Sequence, residues 1–88
     1  MTASEGQIAW TALREGTAIT AVDGAQVGKV ADVVADREKD IFSGVTLRSG
    51  LLEGRVFVPA DAIAELTSEE VRLKITAVEV ERLESYEG

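Results

Sequence analysis

An Asp-Gly pair at residues 23 and 24 stands between two runs rich in strand-forming side chains, residues 17–22 and Gln26–Asp36. It constrains the chain more tightly than any other local feature. Asp-Gly between β-type runs favours a hairpin, because a type I′ turn needs positive φ at both central positions. The return run carries Val27, Val30, Val33 and Val34. Its step from Val27 to Val30 breaks strict alternation, and Gly28 lies inside the break. That is the mark of a bulge, which bends a strand and lets a sheet curl.

The rest of the chain continues in short strands. Arg37, Glu38, Lys39 and Asp40 form a solvated turn. Ile41–Arg48 then alternates, with Ile41, Ser43, Val45 and Leu47 on one face and Phe42, Gly44, Thr46 and Arg48 on the other. Residues 49–54 read as a loop with glycine at 50 and 54. Residues 55–58 form another strand with Val56 and Val58 inward, and Pro59 ends it or sits at an edge because proline cannot donate to a ladder. Residues 61–66 read as a helical turn leading into a strand, and 67–70 as a turn. Residues 71–75 alternate, so that Arg72 and Lys74 face water. The period changes at Thr76. Thr76 and Glu79 have the spacing of a capping box, and Ala77, Val80, Leu83 and Tyr86 recur three apart. The spacing predicts a helix of about eleven residues, too short to be stable unless it docks. The expected fold is mainly β: a small barrel of about five to six strands with a short C-terminal α-helix.

What the chain lacks narrows its chemistry. Its 88 residues contain no histidine and no cysteine. Serine or cysteine nucleophiles activated by histidine are therefore impossible, as are zinc, copper or haem sites ligated by imidazole or thiolate. Asp32, Asp36 and Asp40 recur four apart but fall on a strand and turn, and no calcium-loop pattern is present. Gly24 to Lys29 fails as a phosphate loop, since the glycine spacing is wrong and Val30 follows the lysine. No enzyme activity, cofactor or metal is expected. Nine basic residues against sixteen acidic ones give a net charge of −7, which opposes direct contact with nucleic acid. It leaves a basic protein as a possible partner. Residues 1–7 have no basic or apolar leader character, and no apolar run approaches the roughly 20 residues of a membrane span. A cytoplasmic protein without membrane insertion is expected, and the missing cysteines are compatible with a reducing compartment.

Several ordered motifs resemble the PRC-barrel family. Gly16-Thr17-Ala18-Ile19, Asp23-Gly24, Val27-Gly28-Lys29-Val30 and Asp32-Val33 are similar to the opening of such a domain. Val56-Phe57-Val58-Pro59-Ala60-Asp61-Ala62-Ile63 is similar to its later segment. The resemblance covers residues 13–75, leaving 1–12 as a short extension and 76–88 as a terminal helix and tail. PRC-barrel domains occur in the H subunit of the photosynthetic reaction centre, in a ribosome maturation factor and in many small prokaryotic proteins. The resemblance implies a non-catalytic adaptor or assembly module. A second reading is a ribosome- or RNA-processing-associated assembly factor acting through a basic protein.

Asp23, Gly24, Gly28 and Pro59 read as structural turn and bulge residues. Trp10 is expected to pack on the barrel near the N-terminus. Glu79, Glu81, Glu84 and Glu87 form the wet side of the terminal helix. Phe42, on the face opposite Val45, and Leu51 and Leu52, in a loop, are the candidate interface residues. They either cap the end of their own barrel or offer apolar surface to a second copy, and the second use underlies the expectation of a homodimer.

Overall fold

The computed structural model describes residues 8–36, 38–49 and 55–83, together with the backbone of 85–86. Seven strands follow one another: β1 (Ala18–Thr20), β2 (Gln26–Asp36), β3 (Ile41–Arg48), β4 (Arg55–Pro59), β5 (Ile63–Leu66), β6 (Glu70–Leu73) and β7 (Ser85–Tyr86). They form one mixed sheet in the order β5-β6-β1-β2-β3-β4-β7. The single α-helix, α1 (Ala77–Val80), lies between β6 and β7. All pairings are antiparallel except that of β1 with β6. Strands β2, β3 and β4 make a meander, and β1 joins it to the β5–β6 hairpin.

The β1–β2 turn differs from the type I′ form expected for Asp-Gly. Among the described non-glycine residues only Asp40 has a positive φ, so Asp23 does not. The Gly24 N–H donates to the Ala21 carbonyl at 2.9 Å, and the Ala21 N–H donates to the Ala25 carbonyl at 2.8 Å. Gly24 alone takes the left-handed conformation, at φ 92°. This is a three-residue loop, a turn closed by a left-handed glycine, which spares Asp23 a strained backbone.

Bulges then decide which side chains reach the core. Ile19 opposes Gly28 and Thr20 opposes Gln26, so Val27 is the extra residue, one place from the glycine that marked the bulge. Ser43 is another: Gly44 opposes Val34 and Phe42 opposes Ala35. An extra residue exchanges the two faces of a strand beyond it. Ile41 therefore leaves the core face and is 51% exposed, while Phe42 packs against the core. The uninterrupted alternation expected for Ile41–Arg48 holds only from Gly44 onward.

The core is aliphatic. Ile19, Val30, Val45, Leu47, Val58 and Val71 are fully buried, joined by Leu73 and Val80. Alternation along β4 buries Val56 and Val58, and alternation along β6 buries Val71 and Leu73, leaving Arg72 and Lys74 exposed. A 3-10 turn at Ala60–Ala62 carries the chain from Pro59 into β5.

The C-terminal segment corrects the longer helix. Thr76 accepts from the Glu79 N–H and Glu79 accepts from the Thr76 N–H, so the capping box forms. The helix nevertheless lasts one turn. Arg82 and Leu83 donate to carbonyls three residues back, the tighter pattern in which side chains three apart also align. The chain then extends and pairs Ser85 with Val56 and Tyr86 with Arg55. The edge of β4 offers backbone partners that continued helix would forgo. Val80, 1% exposed, anchors the turn, whereas Leu83 is only partly buried. Thr76→Ala removes the cap and should lower stability by about 1 kcal/mol in chemical denaturation. An unchanged midpoint would show that the box contributes nothing beyond the docking of Val80.

Candidate functional site

The side chains expected at an interface divide into two groups. Phe42 is half-buried and stacks on Trp10, with ring centroids 5.8 Å apart and planes 9° from parallel. Trp10 belongs to a 3-10 turn, Trp10–Ala12, which is followed by the buried Leu13. The Ile8 N–H donates to the Leu66 carbonyl at 2.9 Å, tying this segment to β5. Leu51 and Leu52 lie outside the described residues.

A different surface is assembled at the start of β2. An open groove lies between β2, the end of β3 and α1, with Val27, Gly28, Lys29, Arg48, Ala77 and Val80 along it. Gly28 permits the close approach that forms its wall. A Cβ there would stand 2.5 Å from the Arg48 carbonyl oxygen and 2.9 Å from a Leu47 methyl. Such distances require backbone to shift, so the position is held by packing rather than by an unusual φ.

Strand register brings together cations that are far apart in the chain. Lys29 opposes Arg48, and Arg48 opposes Arg55. Residues directly opposite share a face, so this is a row of three cations across β2, β3 and β4. Arg55 is neutralised by Asp32, its Nη1 donating to Oδ2 at 2.6 Å. Both side chains of that pair are about half exposed, so it contributes roughly 0.2–1 kcal/mol. Among the described residues Lys29 and Arg48 have no carboxylate within ion-pair distance. Like charges set opposite one another destabilise a sheet, so neither fold nor local pairing accounts for them.

The remaining carboxylates and turn residues have local roles. Asp36 accepts from the backbone N–H groups of Glu38 and Lys39 and organises the β2–β3 turn. Asp40 completes that turn in the left-handed region at φ 57°. Asp23 and Gly24 are exposed in the β1–β2 loop, and Pro59 closes β4. Thr46 is wholly buried, and its Oγ1 lacks a hydrogen-bond partner among the described residues.

The comparison with known families draws these parts together. The model of the PRC-barrel domain matches residues 5–82. This chain belongs to the PRC-barrel family. The match spans most of the 88 residues and reaches beyond the 13–75 segment on which the motif resemblance rests. No curated protein matches the sequence. The helices of this PRC-barrel domain include none long and apolar enough to cross a membrane among the described residues. The motif residues fall at meaningful points: Asp23-Gly24 at the first turn, Gly28 at the contact with β3, and Pro59 where β4 gives way to a 3-10 turn. The Lys29–Arg48 pair escapes sequence reading because the residues are joined only by register. The one available signal was the place of Arg48 at the end of an alternating strand, and nothing local marks Lys29.

Proposed function

We propose that this PRC-barrel protein is a non-catalytic interaction module that self-associates in the cytoplasm. The observation that supports this most directly is outward-facing aliphatic surface on a strongly acidic chain. Val22, Ile41 and Val78 are 59%, 51% and 58% exposed. Scattered apolar surface is ordinary, but two of these residues lie near the groove beside α1: Val78 follows Ala77 of its lining, and the Val22 N–H is bonded to the Ile75 carbonyl just before the helix. The absence of histidine and cysteine from the sequence leaves few groups able to serve as base or nucleophile near neutral pH, which favours binding over catalysis.

A second reading follows from the net charge of −7, which favours a basic protein partner such as a ribosomal protein. Association of that kind would weaken steeply with added salt. The first reading is tested by the mass of the purified chain from light scattering after size exclusion. A dimer is expected at about 100 µM, a concentration that populates even micromolar self-association. A monomer mass there would overturn self-association.

A further inference from the structure

We propose that the face formed by the β1–β2 turn, α1 and the groove between them is a two-fold interface for a second copy of this chain. The inference rests on the self-association reading and assigns it a surface. Val22 occupies the body of a turn, where a polar residue, glycine or proline is the usual choice. Val78 lies near the start of a one-turn helix, where a β-branched side chain has no local advantage. Neither valine enters the core, and both are more than half exposed. They are also neighbours in the fold. The Val22 N–H donates to the Ile75 carbonyl at 2.8 Å, which holds the turn beside the start of α1. Ala25, at the far end of the same turn as Val22, and Ala77, next to Val78 in the chain, line the groove together with Val27 and Val80.

The charges choose the occupant. Lys29 and Arg48 stand on the strand side of the groove, and Glu81 stands on its helix side. None of the three has an ion-pair partner among the described residues. A two-fold axis through the face carries the cations of one copy toward the partner's Glu81, and the reverse, while the exposed valines of each copy meet the groove of the other. Such self-complementarity is what an isologous pair requires. Net charge of −7 on each subunit opposes association at long range, and the local pairing answers it at contact. An acidic partner of another kind would leave Glu81 facing like charge, so a second copy fits better. Phe42 is already stacked on Trp10 within its own chain.

The test uses two charge-reversed proteins, Lys29→Glu with Arg48→Glu, and Glu81→Lys. All three positions are exposed. Sedimentation velocity over a concentration series should show each variant weakened by roughly a hundredfold or more relative to wild type, since like charges then meet across the axis. An equimolar mixture should restore the dimer, because every contact in the mixed pair is again between opposite charges. Circular dichroism and melting of each variant establish that it is folded. Val78→Lys, at an exposed position, provides a further disruption and should also give monomer. If wild type is dimeric and all of these variants pair with unchanged affinity, the face is wrong while self-association stands. If both charge variants are monomeric and the mixture fails to pair, the proposed charge register is overturned. A wild-type monomer would instead defeat the reading on which the inference rests.

Discussion

Replacing Gly44 by alanine should destabilise the domain by about 4 kcal/mol, the sum of two effects of comparable size. Gly44 has φ 150°, a conformation that residues with a Cβ rarely adopt. The added atom would also run into the Val58 carbonyl oxygen, and it would stand 3.0 Å from the Pro59 Cα and 3.1 Å from the Phe57 ring. Two of those neighbours are backbone, so no side chain can simply rotate away. Gly24→Ala isolates the conformational part. Its φ is 92°, yet nothing lies within 4 Å of the missing Cβ, so a loss of only about 1–2 kcal/mol is expected. Urea denaturation of the two variants makes the comparison. Equal losses would show that the approach of β3 to β4 opens at little cost, and that steric collision at Gly44 is relieved by relaxation.

The second large effect is expected at the middle of the sheet. Leu47 is 0% exposed and pairs with Val30 on one side and Val56 on the other. Leu47→Ala should cost about 3–4 kcal/mol, from lost apolar burial and from a cavity that rigid neighbouring strands cannot collapse. A core of this size has few large side chains to share the loss. The check is the denaturation midpoint, read together with the denaturant slope. A loss below about 1 kcal/mol would place Leu47 outside the region that holds the fold together.

Much of this architecture is legible in the sequence because its signals are local. Val56 and Val58, Val71 and Leu73 alternate without interruption and are buried as their period requires. The charged run before Ile41 forms a turn, and Thr76 with Glu79 forms the capping box. What escapes depends on a partner strand. The extra residue at Ser43 is invisible without β2, yet it sends Ile41 to solvent and turns Phe42 inward onto the core. The three-residue period from Ala77 to Tyr86 fits a long helix equally well. Only the free edge of β4 explains why the chain extends at Ser85. Likewise, Gly44 looks like one more residue on an alternating strand until Val58 and Pro59 are placed against it. The Lys29–Arg48 pair of the candidate site has the same origin, since eighteen intervening positions hide a direct cross-strand neighbour.

The parallel pairing of β1 with β6 has a consequence for biosynthesis. Ala18, Ile19 and Thr20 find their second neighbours only at Glu70, Val71 and Arg72. Closing so long a stretch of chain carries an entropy cost of about 3–4 kcal/mol before the contact returns anything. At ordinary translation rates the later segment is made roughly 3–10 s after the earlier one. The β2–β3–β4 meander joins segments that follow one another in the chain, so its pairing partners are available first. Throughout that interval a row of unpaired amides and carbonyls on β1 remains open to any neighbouring strand. Emergence of β6 closes this window, so translation stalled before Glu70 would leave a nascent domain with this edge of β1 exposed.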